Sequence, residues 1–183
     1  SGNLSGIICV LAASLLSLQV PFLPVHLLFI NLVTDSLPAI AIGMERSTKD
    51  ILKEKPRDPS VGILTPATMK QLGIQGILIA IATMSAYFLG LKESWSIATT
   101  MAFSTLCLSR LFHGFNCRSQ RSLYRIGLFT NKYSILAFVI GFCFLNAILL
   151  WQPLHSLFSV TTITMTQLFT ICGLALIPTA LIQ

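Results

Sequence analysis

Long stretches without a charged side chain constrain this sequence more than any other feature. No Asp, Glu, Lys or Arg occurs in residues 133–183 or 71–91, and Asp35 is the only one in residues 1–44. Only 10% of the 183 residues are charged, whereas soluble domains carry about a quarter. Because such stretches need an apolar solvent, the chain is predicted to lie in a membrane.

Six stretches are long enough to cross a bilayer, which takes about 20 residues. They lie at about 2–19, 24–44, 67–90, 97–116, 133–151 and 160–181. The runs are continuous and rich in Leu, Ile and Ala, which indicates helices and not alternating barrel strands. The predicted fold class is an all-α membrane protein, a bundle of six transmembrane helices in one domain over residues 1–183.

Prolines separate the paired spans. Pro21 and Pro24 follow the first span, and Gln152, Pro153 and His155 divide the last two. Proline removes a backbone donor and ends or bends a helix, so a tight turn at the membrane surface is expected in both places.

Basic residues are concentrated in two loops. The loops 45–65 and 117–132 hold nine of the 12 Lys and Arg residues, whereas the opposite side has only Lys92. The positive-inside rule therefore predicts that both loops and both chain ends are cytoplasmic. The basic loops are expected to meet lipid headgroups or a cytosolic domain, and nucleic acid is not expected as a partner.

Two ionisable residues, Asp35 and Arg110, lie inside predicted spans. Each costs roughly 2.5–3.5 kcal/mol to insert, so a functional role is the first interpretation. The alternatives are a structural ion pair between the two residues, or an Arg110 side chain that reaches to the membrane interface.

The neighbours of Asp35 favour a cation site. Asn31, Thr34 and Asp35 are spaced to project from one face of an α-helix. Their amide, hydroxyl and carboxylate oxygens are the ligands that hard cations such as calcium prefer. Pro38 is expected to free a backbone carbonyl near Thr34, as in the broken helices of transporters.

The segment 31–39, which reads Asn-Leu-Val-Thr-Asp-Ser-Leu-Pro-Ala, resembles the sixth-span signature of type II P-type ATPases. Its leading asparagine is similar to that of calcium pumps of the sarcoplasmic-reticulum kind. Segments 24–28, 50–59 and 100–104 also resemble the family's sixth span, following loop and eighth span. The resemblance implies that the chain is the C-terminal transmembrane region, family spans five to ten.

The resemblance also implies an incomplete set of ion ligands. Family pumps with two calcium sites have an Asn and a Glu in the fifth span, where this sequence has Asn3 and Gly6. Another Glu of the eighth span corresponds to Arg110. Asn31 and Asp35 of the second site are retained, and its other ligands belong to a fourth span outside this sequence. We therefore expect a single calcium site, with a fixed Arg110 charge at the vacated one.

Other parts of a pump are expected outside this sequence. The opening Ser1-Gly2-Asn3 reads as the middle of a longer helix, and no Asp-Lys-Thr-Gly-Thr phosphorylation motif occurs. ATP and magnesium would be bound by cytosolic domains, and calcium would be the transported ion. The expected partners are the first four spans, those domains and membrane lipid. The short loops favour a bacterial inner membrane as the location.

Two other functions remain open at this stage. The first is a type II pump for sodium, potassium or protons. The second is a stand-alone secondary transporter or channel that uses Asp35. Such transporters usually have two halves with matching broken helices, and no second segment similar to 31–39 occurs here.

Overall fold

The computed structural model describes residues 1–45, 65–118 and 130–182, and these are helical with short connections. The basic residues in 46–64 and 119–129, and the family-like segment 50–59, lie outside the described residues. The elements are α1 (Gly2–Leu15), α2 (Pro24–Phe29), a π-helical segment (Ile30–Asp35), α3 (Ser36–Gly43), α4 (Pro66–Leu91), α5 (Trp95–Asn116), α6 (Lys132–Leu150), α7 (Gln152–Phe158) and α8 (Met165–Ile182).

Four helices in the described ranges are long and apolar enough to cross a membrane. They are Pro24–Gly43, which joins α2, the π segment and α3, together with α4, α6 and α8. The apolar helix α1 has only 14 residues, and α5 is long but carries many Ser and Thr side chains. The predicted all-α, multi-pass membrane fold is confirmed. The other two of the six spans, and the single domain over 1–183, stay predictions.

Helix α5 forms the centre of the bundle. Every residue from 98 to 111 is buried, and the helix packs against α4, α6, α8 and both the π segment and α3. Small side chains allow such close packing inside a membrane. At Gly90 a Cβ atom would lie 2.5 Å from the Cα of Ala98, so only glycine permits α4 and α5 to meet there.

Local hydrogen bonds set helix ends that differ from the predicted spans. Helix α1 stops early because Ser17 takes a left-handed conformation, with φ of 55°, and Leu18 N–H donates to Ala13 O at 2.9 Å. Helix α8 begins at Met165 because Thr164 and Gln167 form a capping box. Thr164 N–H donates to Gln167 Oε1 at 2.8 Å, and Gln167 N–H donates to Thr164 Oγ1 at 3.3 Å.

The tight turn predicted at Gln152, Pro153 and His155 is wrong, because these residues belong to helix α7. Pro153 lies in the first turn, where a missing N–H breaks no helical hydrogen bond. The helix ends at Ser159, which is left-handed with φ of 50°. In contrast, Pro24 opens α2 after a non-helical connection, as the predicted break requires.

His26 connects the start of the Pro24–Gly43 helix to the end of α7. The ring is fully buried and stacks on Phe103 with 4.5 Å between centroids. Leu23 N–H donates to Nδ1 at 3.3 Å, so the proton lies on Nε2, which donates to Phe158 O at 2.8 Å. This contact fixes the position of α2 beside the α7–α8 connection.

Candidate functional site

Arg110 lies in the buried part of α5, where its guanidinium joins two other helices. Nη1 donates to Asp35 Oδ2 at 2.8 Å, and Nη2 donates to Asn3 Oδ1 at 3.1 Å. The Arg110 side chain is 4% exposed and that of Asp35 is 36% exposed. Thus the structure brings together Asn3, Asp35 and Arg110, and the Arg110 side chain is buried between the helices.

The glycines of α1 leave space for the guanidinium. A Cβ atom at Gly2 would lie 3.1 Å from Arg110 Nε, and one at Gly6 would lie 4.0 Å from Nη2. A glutamate at position 6 would therefore begin next to the Arg110 charge. The structure thus places Gly6 beside Arg110. By the family resemblance, these two positions correspond to two carboxylates of pumps with two calcium sites.

A cavity of about 310 Å³ opens beside the ion pair. Its walls come from α1, the π segment, α3 and α5, and they include Asn3, Thr34, Asp35 and Arg110. The cavity is large enough for a cation with several waters. It therefore has the room and some of the oxygen atoms that an ion site beside Arg110 would need.

The π segment separates residues that the sequence predicts on one face. Thr34 is 1% exposed, and its hydroxyl donates to Ile30 O at 2.8 Å. Asn31 is exposed and does not line the cavity. A π-helix has more residues in each turn than an α-helix, so positions i and i+4 stay close in angle while position i+3 turns away from position i. Thr34 is therefore separated from Asn31, and the predicted common face of Asn31, Thr34 and Asp35 is wrong.

Pro38 accounts for the change of helix type in physical terms. Without an N–H, Pro38 cannot donate to the carbonyl of Thr34, so regular α-helical bonding is interrupted. The Ser36 hydroxyl donates to Asn31 O at 3.0 Å within the same segment. Wide π turns of this kind are frequent at functional sites.

The cavity supplies few ligands of its own for a metal ion. Across residues 1–45, 65–118 and 130–182, no group of three or more His, Cys, Asp or Glu residues could hold one. The side-chain oxygens of Asn3 and Asp35 both accept hydrogen bonds from Arg110. A guanidinium cannot coordinate a metal and keeps its charge. The guanidinium therefore occupies the space between an amide and a carboxylate.

Sequence reasoning missed His113 as a neighbour of this cavity. His113 also lines the cavity, and its Nε2 lies 3.0 Å from Ser1 Oγ. Its spacing of three residues from Arg110 on one helix was the signal that could have identified it.

A second group missed by the sequence lies near the cavity, at the ends of three helices. Arg118 donates from Nε to Glu45 Oε2 at 3.0 Å and from Nη2 to Glu45 Oε1 at 2.9 Å. Asn131 donates to the same carboxylate and to Ala41 O at 3.0 Å. The Arg118 hydrogen bonds are the main cause that lowers the pKa of Glu45 below its usual 4.5. We call Glu45, Arg118 and Asn131 the Glu45 cluster.

Comparison with known proteins identifies the family. The family described as "Cation transporting ATPase, C-terminus" matches residues 19–183. A calcium-transporting ATPase of Bacillus subtilis (strain 168) is 35% identical over 185 residues, which cover 100% of this chain and 21% of that protein. A calcium-transporting ATPase of Listeria monocytogenes is 43% identical over 143 residues, which cover 78% of this chain and 16% of that protein.

A third relative, calcium-transporting ATPase 1 of Lactococcus lactis, is 40% identical and also matches over 78% of this chain. The chain thus spans about a fifth or less of the length of these relatives. Its match to the family covers nearly all of its own length. The chain therefore belongs to the cation-transporting ATPase C-terminal family, as its resemblance to P-type calcium pumps predicts.

Proposed function

We propose that this chain is the C-terminal transmembrane region of an ATP-driven calcium pump in the inner membrane of a bacterium. It would supply part of a single calcium site. The observation that carries the proposal is the Arg110 guanidinium, which donates to Asn3 and Asp35 at 3.1 and 2.8 Å. The three calcium-transporting relatives support the choice of calcium over another cation and of a pump over a secondary transporter or channel.

The Arg110 charge supports one calcium ion instead of two. Two like charges 4 Å apart repel by about 4 kcal/mol at an effective dielectric of 20, which would weaken binding by almost a thousandfold. Gly6 adds no side-chain oxygen, although calcium needs six to eight. A second ion beside Arg110 would therefore lack both charge and ligands.

The retained site would lie on the other side of Asp35. There Asp35 and Asn31 would bind calcium together with ligands from a span outside this chain. The exposure of Asn31 supports this arrangement, because its side chain is open to such a neighbouring span. Thr34 would support the site through its hydrogen bond to Ile30 O. Magnesium and ATP would bind in the cytosolic domains of the same pump.

Arg110 would also replace protons in charge compensation. When calcium leaves, Asp35 keeps the guanidinium as a partner at 2.8 Å. A carboxylate with such a partner does not need a proton to be neutralised. Proton counter-transport would therefore depend less on protonation of a carboxylate than it does in a pump that has carboxylates at the positions of Gly6 and Arg110.

Calcium counting on the purified full-length pump tests the proposal. We expect one bound calcium ion for each phosphorylation site, measured by isotope binding and by phosphorylation from ATP. Asp35→Asn should abolish calcium-dependent phosphorylation while the protein still inserts. Glu93→Gln is a matched control in the described turn after α4, and it should bind calcium normally. A ratio near two, or normal phosphorylation of Asp35→Asn, would contradict the proposed site.

A further inference from the structure

A groove of about 330 Å³ lies between α4 and α8. It shares no lining residue with the cavity beside the ion pair. Its α4 wall is a stripe of residues at helical spacing, and Leu181 near the end of α8 forms the opposite wall. The stripe begins in the first turns of α4, next to the loop that the basic residues place on the cytoplasmic side.

The α4 wall has its charged residue near the helix start and an apolar residue at its deepest point. Lys70 and Gln71 lie nearest the helix start, Ile74 and Gln75 lie one turn further along, and Leu78 is the deepest residue of the stripe. At a rise of 1.5 Å per residue, Lys70 and Leu78 are about 12 Å apart along the axis. This distance takes the groove from the headgroup region of a bilayer into its hydrocarbon.

The polar side chains of this wall have no protein partner within the described part of the chain. Lys70, Gln71 and Gln75 line the groove without a hydrogen bond or ion pair there. An amide that faces hydrocarbon without a partner is costly, because no water is available to bond it. Two such amides one turn apart, below a lysine, therefore indicate a ligand with acceptor oxygens.

We propose that this groove binds an anionic phospholipid. The Lys70 ammonium would pair with the phosphate, and the amides of Gln71 and Gln75 would donate to the ester carbonyl oxygens. One acyl chain would lie along Ile74, Leu78 and Leu181. A phospholipid presents its phosphate, ester carbonyls and acyl chain in that order of depth, and Lys70, the two glutamines and Leu78 follow in the same order along the wall.

Charge complementarity selects this ligand from the other possible occupants. A second copy of this chain could pair the glutamine amides with its own, but it would bring a second Lys70 charge into the groove. A zwitterionic lipid has the acceptor oxygens, but its own cation competes with Lys70 for the phosphate. An anionic lipid leaves the lysine paired.

Photo-crosslinking to the full-length protein tests this site. The protein would be placed in nanodiscs of phosphatidylcholine that contain photoactivatable phosphatidylglycerol or, separately, photoactivatable phosphatidylcholine of the same chain length. We expect phosphatidylglycerol to label peptides from α4 and α8 preferentially. Lys70→Gln should lower this labelling about fivefold, the effect of about 1 kcal/mol for one lysine near an anionic surface.

Two control variants separate charge from folding. Lys70→Arg keeps the charge and should keep the labelling, while Lys92→Gln removes the lysine that follows the other end of α4 and should change nothing. Equal labelling by the two lipids, unchanged labelling in Lys70→Gln, or crosslinks from this groove to another polypeptide would each overturn the proposal. These outcomes do not depend on calcium transport, so they leave the proposed pump function to its own test.

Discussion

Arg110 shows how a membrane protein holds a permanent charge in a buried place. The guanidinium is almost fully buried, and its two terminal nitrogens bond a carboxylate and an amide from two other helices. Gly2 and Gly6 provide the space on the α1 side. Because removal of one partner leaves the other charge buried, such pairs are costly to break one residue at a time.

The Arg110 pair can be tested by a double-mutant cycle. Arg110→Met should lower the free energy of unfolding by about 3 kcal/mol, because it leaves Asp35 without its cationic partner. The double variant Arg110→Met and Asp35→Asn should recover part of this loss, since no unpaired charge remains. Unfolding of the full-length protein in SDS measures both. Additive effects of the two substitutions would contradict a direct pair.

At the scale of elements, the π segment determines where Asp35 points. It stands between α2 and α3 in one continuous helix, and Pro38 follows three residues after Asp35. An α-helix turns by 100° per residue, so a change of helix type before Asp35 would rotate its side chain away from Arg110. The position of the carboxylate therefore depends on the proline three residues after it.

Pro38→Ala tests this dependence. The new N–H can donate to Thr34 O, which favours a regular α-helix across the segment. We expect the apparent calcium affinity of the full-length pump to fall by about tenfold, which corresponds to about 1.4 kcal/mol. Calcium-dependent phosphorylation measures it. Pro153→Ala in the first turn of α7 is the control and should have normal affinity. An unchanged affinity in Pro38→Ala would separate the proline from the site.

The Glu45 cluster connects three helix ends on one side of the whole molecule. Glu45 follows α3, Arg118 follows α5, and Asn131 caps α6 by accepting from Tyr133 and Ser134 N–H groups. The same asparagine donates to Ala41 O. These contacts join the start of the loop 45–65 to both ends of the loop 117–132.

The Glu45 cluster gives the stability of the protein a defined dependence on acid. The pKa of Glu45 is lower in the folded state than its ordinary value of 4.5. The stabilisation from its charge is therefore fully present above pH 4.5 and is lost as the pH falls through the folded-state pKa. Glu45→Gln should lower the free energy of unfolding by about 1 kcal/mol at neutral pH. The difference from the parent protein should persist down to pH 4.5 and vanish in stronger acid. A difference that stays constant in strong acid would contradict the charge as its cause.

The orientation of the whole molecule is tested by labelling. Nine of the 12 Lys and Arg residues lie in the two loops predicted to be cytoplasmic. In a full-length protein without native cysteines, Lys53→Cys should resist a membrane-impermeant thiol reagent in intact cells and react after permeabilisation. Lys92→Cys should react in both conditions. Reaction of Lys53→Cys in intact cells would reverse the orientation.

The parts that sequence could predict are those set by composition along the chain. Asp35 and Arg110 stand out because charges inside apolar spans are rare, and their pairing follows from the cost of leaving either alone. The exposure of Asn31 was not predictable from spacing, because spacing assumes a regular α-helix and Pro38 disturbs it. The Thr164–Gln167 capping box is visible in the sequence as a local motif. The Glu45 cluster is not, because its members meet only after helices far apart in the chain have packed.

The bond between His26 and Phe158 has a consequence for how the protein is made. Residue 26 leaves the ribosome 132 residues before residue 158. Until the later residue is in place, a fully buried imidazole N–H at the start of the Asp35 helix lacks its acceptor. The helix can insert early, but its final position waits for the synthesis of the α7–α8 connection. A nascent chain halted before that connection would therefore carry an inserted helix that is still free to be moved or recognised by quality-control proteases.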